Sequence, residues 1–85
     1  MKQFEYIMTE PLGIHARPAS ILVKAALAYE SSIFIEKDGK SANVKKLIAL
    51  MALGVKYNEK VIFTIEGTDE DTAAKELKAF CEVHL

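Results

Sequence analysis

The residues with the most chemical potential in this 85-residue chain are crowded into Gly13-Ile14-His15-Ala16-Arg17-Pro18-Ala19. A histidine stands just ahead of a predicted helix, with an arginine two residues on and a proline in the first turn. The helix follows from spacing: Pro18, Ala19, Leu22, Val23, Ala26 and Leu27 recur at three- and four-residue steps. Proline is tolerated there because the first N–H groups of a helix have no intrahelical partner. Those free N–H groups, with the positive end of the helix dipole, favour an anion. Arg17 would reinforce such a site with a forked, permanently charged guanidinium. A nucleophilic imidazole beside a phosphate cradle is what a phosphohistidine requires. The neutral ring attacks phosphorus, and imidazole is the side chain whose ordinary titration lies nearest neutrality. On spacing alone, a histidine that merely caps the helix is the simpler reading.

Other constellations are weaker. Gly39-Lys40-Ser41 has the ending of a phosphate-binding P-loop, but the first glycine of that motif would fall at Phe34, so nucleotide binding is rejected. His15 and His84 are the only histidines, with no Cys or carboxylate cluster at metal-ligand spacing, so no metal is expected. His84 reads as a residue capping or covering the last helix. No serine has nucleophile-elbow context. The lysines lack aromatic interleaving, which argues against single-stranded nucleic acid.

The elements that must position His15 follow from periodicity. Lys2 to Met8 alternates as a strand, and Pro11 and Gly13 break the pattern ahead of the histidine. The first helix is expected to reach about Tyr29. Ile33-Phe34-Ile35-Glu36 favours a second strand. Asp38-Gly39 supplies a hairpin turn, and Ser41 to Val44 the returning strand. Lys46 to Leu53 reads as a short helix stopped by Gly54. Its Leu47, Ile48, Leu50 and Met51 are too many for one buried face. Leu50 is assigned to the core, and the exposed remainder implies a partner. Val61, Phe63 and Ile65 alternate in the last strand, which Gly67 ends. Thr68 and Asp71 have capping-box spacing, and Ala73, Leu77, Phe80, Cys81 and His84 mark the inward side of a final helix. The order β-α-β-β-α-β-α suits an α+β fold in which a small antiparallel sheet carries its helices on one face.

Composition sets the bounds. The length allows one domain, and a hydrophobic fraction of 51% with mixed charges points to a globular fold rather than disorder. The net charge of −1 creates no overall field demanding nucleic acid. The charges are uneven, however. Arg17, Lys24, Lys45, Lys46 and Lys56 lie near the histidine and the middle helix, whereas acids dominate after Asn58. A shared basic face would suit an acidic protein partner. The single cysteine, Cys81, fits a reducing cytoplasm and a buried structural thiol. The first residues lack the apolar core of a signal peptide, and no run approaches a membrane span, so a cytoplasmic protein without membrane insertion is expected.

The stretch Gly13-Ile14-His15-Ala16-Arg17-Pro18-Ala19 resembles the active-site signature of HPr, the histidine-containing phosphocarrier family of the bacterial sugar phosphotransferase system. The chain length, the Lys45-to-Gly54 stretch and the order of predicted elements agree, so the resemblance covers essentially the whole chain. It implies an open-faced β-sandwich with a four-stranded antiparallel sheet and three helices on one face. It also implies that His15 takes the phosphoryl group on Nδ1 and that Arg17 orients it. The donor would be enzyme I, charged by phosphoenolpyruvate, and the acceptors the sugar-specific IIA domains. Such a protein is a stoichiometric carrier rather than an enzyme, needs no cofactor, and is expected as a monomer.

Its docking surface is expected to combine Ser20, Ile21 and Lys24 on the first helix with Lys46, Leu47, Ile48 and Met51 around the short one. Apolar anchors with a basic rim suit a transient interface. Many members of the family carry a regulatory serine directly before the short helix. Lys46 stands there in this chain, and a lysine cannot accept a kinase's phosphate. The alternative function is a regulatory binding module whose phosphorylation state controls a partner protein. A structural domain with an idle histidine is the third reading.

Overall fold

The computed structural model describes all 85 residues. Elements follow in the order β1 (Lys2–Ile7), α1 (Ala16–Ala26), β2 (Ser32–Lys37), β3 (Lys40–Asn43), α2 (Leu47–Ala52), β4 (Lys60–Glu66) and α3 (Glu70–His84). The strands form one antiparallel sheet in the order β1-β4-β2-β3. Phe4 pairs with Phe63, and Phe63 in turn with Ile35, which pairs with Ala42. This register puts the apolar alternation of every strand on one face. Val61, Phe63, Ile65, Ile33 and Ile35 are fully buried beneath the helices, with Leu22 from α1, Leu50 from α2 and Leu77 from α3. The other face carries Gln3, Glu5, Phe34, Glu36, Ile62 and Thr64, none of them fully buried. The fold is therefore an open-faced α+β sandwich. No helix is long and apolar enough to cross a membrane.

The β2–β3 hairpin closes on Asp38 and Gly39 with φ of 51° and 79°. Two positive φ values in a two-residue loop match the right-handed twist of the flanking strands, which is why Asp-Gly is favoured there. Phe4 and Phe63 stack with centroids 4.8 Å apart. Cys81 is buried in α3, and desolvation, aided by the Glu82 charge, pushes its thiol up to about 12. It is structural.

Several boundaries and contacts differ from expectation. Helix α1 ends at Ala26 rather than Tyr29, because Ala28 and Tyr29 turn back with i→i+3 bonds to Ala25 and Ala26 that tighten the last turn. Leu27 is consequently exposed. Strand β3 starts at Lys40 and stops at Asn43, although the Val44 N–H still donates to Ile33. Phe80 is only half-buried, and His84 is exposed with its ring 4.5 Å from that of Phe80. The capping box of Thr68 and Asp71 does not form. Asp69 is the N-cap residue of α3, the Glu70 carboxylate accepts the Gly67 N–H at 3.2 Å, and Asp71 pairs with Lys2 at 3.2 Å.

Asp69 does something its spacing does not announce. Its carboxylate accepts the N–H groups of Glu30 and Ser31 at 2.9 and 3.0 Å and the Ser31 hydroxyl, tying the α1–β2 turn to the start of α3. The Ser31 hydroxyl and the Glu30 N–H together hold the carboxyl below its ordinary range. A depressed native pKa contributes stability that is present above the unfolded value, about 3.9, and lost as pH falls through the folded one. The melting temperature should therefore fall more steeply below about pH 4 in the native chain than in Asp69→Ala. At neutral pH the variant should melt roughly 10 °C lower, since it strands the N–H and hydroxyl of the buried Ser31. Parallel acid profiles of the two proteins would contradict this.

Candidate functional site

His15 is the N-cap residue of α1, extended at φ −102° and ψ −169°, and its carbonyl accepts the first helical bond from Ala19 at 2.9 Å. Its ring makes no cap hydrogen bond, so the side chain is free of the capping task. The ring is 42% exposed. The N–H groups of Ala16 and Arg17 find no backbone or side-chain acceptor, and Pro18, buried behind them, has none to offer. Two unspent donors and the positive helix end thus lie beside an accessible imidazole, an arrangement suited to an anion. Arg17 is exposed and engaged in no ion pair, so its guanidinium is available to a ligand.

The loop that delivers His15 is held from below. Gly13, at φ +70°, donates to Glu10 at 2.8 Å, and the Ile14 N–H donates to the Val55 carbonyl at 3.0 Å. Val55 lies in the loop between α2 and β4, which Lys37 pins. The Lys37 ammonium donates to the Gly54 carbonyl at 2.7 Å and pairs with Glu59 at 3.0 Å. Glu59 also accepts the Lys56 N–H at 2.6 Å. The Lys37 and Lys56 contacts hold the Glu59 carboxyl below its ordinary range. A chain of contacts thus runs from strand β2 through this loop to the base of the histidine.

Glu10 is the residue that sequence reasoning passed over. Its carboxylate lies 3.8 Å from His15 Nε2. The only local signal was an acid at the start of a Pro-Gly turn, five residues before the histidine. Nothing in that spacing says the turn folds back.

Helices α1 and α2 pack against one another. Ser20, Ile21 and Lys24 are exposed on α1, and Leu47, Ile48 and Met51 on α2. Ile48 is 78% exposed whereas Leu50 is wholly buried, which divides the apolar residues of the short helix as expected. Lys46 is the exposed N-cap of α2, in extended backbone, and provides no side-chain cap. Lys45 is different: its ammonium donates to the Tyr29 carbonyl at 2.7 Å, so part of the expected basic rim is tied to the end of α1. The Tyr29 hydroxyl meanwhile donates to Glu76, and burial together with that carboxylate pushes the phenol up to about 12.

Comparison with known proteins agrees with this geometry. The family described as PTS HPr component phosphorylation site matches residues 2–83. The phosphocarrier protein HPr of Mycoplasma pneumoniae is 40% identical over 85 residues, covering 99% of this chain and 97% of the relative. The crystal structure of an HPr from Thermoanaerobacter tengcongensis superposes with a TM-score of 0.92 at 38% identity, covering 96% of this chain and 92% of that one. Crh, the catabolite repression HPr of Bacillus subtilis, described as a swapped, intertwined dimer, superposes with a TM-score of 0.78 at 34% identity, covering 100% and 98% of the two chains. With a match along nearly its whole length in both sequence and fold, the chain belongs to the HPr family of phosphocarrier proteins of the phosphotransferase system.

Proposed function

We propose that the chain carries phosphoryl groups from phosphorylated enzyme I to the IIA domains of sugar permeases, through a phosphohistidine at Nδ1 of His15. The observation that carries this reading is the accessible His15 imidazole at the start of α1, beside the unbonded N–H groups of Ala16 and Arg17. Phosphoryl transfer is mostly positioning and charge neutralisation, so a carrier needs little apparatus beyond such a cradle. The phosphoramidate bond is labile, which lets one site both accept and give. The chain acts as a monomeric single domain in the cytoplasm, with no metal or cofactor. A relay of enzyme I, phosphoenolpyruvate and a IIA domain should label IIA only when this chain is added. Labelling of IIA at equal rate without it would end the proposal.

The likeness to Crh favours a second reading, a regulatory module whose phosphorylation state sets its affinity for a partner. The two differ in turnover: a carrier discharges to IIA within the relay, whereas a regulator retains its phosphate. The accessible His15 and the greater similarity to the Thermoanaerobacter HPr favour the carrier.

Arg17 serves transfer rather than folding. It pairs with no carboxylate, and a cation in the first turn opposes the helix dipole. Arg17→Ala should leave the melting temperature within about 2 °C while slowing phosphotransfer roughly 10- to 100-fold, as loss of a charge-stabilising donor does. Equal transfer rates would remove Arg17 from the site.

Docking uses Ser20, Ile21, Lys24, Lys46, Leu47, Ile48 and Met51 on the paired helices. Ile48 is the sharpest probe because so little of it is packed. Ile48→Glu should weaken enzyme I binding by roughly tenfold without changing the melting temperature. Unchanged affinity, measured by titration calorimetry, would move the interface elsewhere.

A further inference from the structure

The geometry points to Glu10 as a positioning residue for phosphoryl transfer: its carboxylate is the counter-charge for the proton on Nε2 of His15 once Nδ1 carries the phosphoryl group. This rests on the phosphocarrier reading. Glu10 is the carboxylate within ion-pair reach of the ring, at 3.8 Å from Nε2. Its place is fixed by the turn in which its carbonyl accepts the Gly13 N–H at 2.8 Å, and its side chain is 29% exposed. With Nε2 turned to a carboxylate, an incoming anionic phosphoryl group is repelled from that nitrogen. Nδ1 remains as the nucleophile. Two cations also lie by the motif: Arg17, at the start of α1, whose role is toward the phosphoryl oxygens, and the exposed Lys56, whose backbone packs against Gly13 and whose charge opposes a proton on the ring.

The distance bears on which state Glu10 serves. At 3.8 Å the contact is too long for a direct hydrogen bond and acts chiefly through charge. A neutral ring profits little from it. When the Nδ1 lone pair forms the new P–N bond, the donor's bond to phosphorus breaks and its electron pair leaves with the donor. His15 keeps its proton on Nε2, so the ring becomes a phosphoimidazolium with a positive charge facing Glu10. In onward transfer the acceptor's lone pair takes the phosphorus, and the P–N pair returns to Nδ1. A neutral imidazole is left, and no proton has moved. Were Nε2 to lose its proton first, the leaving group would be an imidazolate-like anion, which departs far less readily. Glu10 therefore holds the phosphorylated ring in its transferable form.

The test uses the full chain, phosphorylated chemically with phosphoramidate so that enzyme I is not needed, and compared with Glu10→Ala and Glu10→Asp. Nitrogen-15 NMR reads the protonation of Nε2 in the phosphorylated ring, and quenched-flow mixing with a saturating IIA domain reads onward transfer. Because both groups are partly exposed, the expected effects of Glu10→Ala are modest: about fivefold in proton affinity at Nε2, and in transfer rate a loss that grows with pH toward about fivefold where the ring is mostly deprotonated. Glu10→Asp should recover part of both. Wild-type proton affinity at Nε2 in Glu10→Ala overturns the proposal, whether or not transfer slows, since slowing alone would then reflect docking. If the wild-type chain takes no phosphoryl group from enzyme I, the phosphocarrier reading fails instead, and the Nε2 measurement still decides the part of Glu10.

Discussion

His15→Ala should gain no acid-labile phosphate when incubated with enzyme I and phosphoenolpyruvate, while its fold is retained. The loss is complete because His15 is the only imidazole at the start of α1, and a phosphate ester on the nearby Ser20 hydroxyl would be stable to acid. His84 cannot replace it: that ring lies in the last turn of α3 against Phe80, at the end of a helix where the dipole repels anions. The fold survives because the His15 side chain makes no cap hydrogen bond, and its backbone carbonyl, which accepts from Ala19, is kept. The melting temperature should change by no more than about 3 °C. Intact mass with acid treatment reads the first quantity and calorimetry the second. Labelling of the variant at the wild-type level would place the phosphoryl group elsewhere.

Gly13→Ala should have the largest effect on stability among single changes near the site. A Cβ there would lie 2.2 Å from the Val55 carbonyl oxygen and 2.8 Å from the Lys56 Cα. Both are backbone atoms, in the loop that Lys37 pins, and neither can swing aside as a side chain could. The φ of +70° adds a conformational penalty. Together strain and overpacking cost about 3 kcal/mol, or a fall of roughly 12–24 °C in melting temperature for a domain this small. The Ile14-to-Val55 hydrogen bond would be lost with them, freeing the base of His15, so transfer should slow as well. Gly39→Ala is the control. It shares the positive φ but meets nothing within 4 Å, and should cost only about 1 kcal/mol. Equal costs at the two positions would show that backbone conformation alone matters at Gly13.

What could be read beforehand was local and periodic. Val61, Phe63 and Ile65 announced β4 by alternation, Asp38-Gly39 announced its hairpin, and the surplus of apolar residues in α2 announced both a buried Leu50 and an exposed Ile48. The start of α1 at His15 was legible because proline in a first turn and a three-four apolar repeat coincide only there. What escaped was tertiary. Thr68 and Asp71 have the spacing of a capping box, but spacing does not reveal that the α1–β2 turn, 38 residues upstream, claims Asp69. Lys45 reads in the sequence as a free surface charge, whereas its ammonium donates to the Tyr29 carbonyl. Glu10 approaches His15 only because Gly13 turns left-handed over Val55, a contact between segments some forty residues apart that no local pattern encodes. The helix start that carries the motif was legible, and the supports beneath it were not.

The most direct test of the account is to incubate the native chain with enzyme I and phosphoenolpyruvate and to measure its intact mass before and after mild acid. The account predicts one added phosphoryl group, removed by acid, mapped by peptide fragmentation to His15, and discharged when a IIA domain is supplied. A chain that stays unphosphorylated, or that carries an acid-stable phosphate on a residue other than His15, would contradict it.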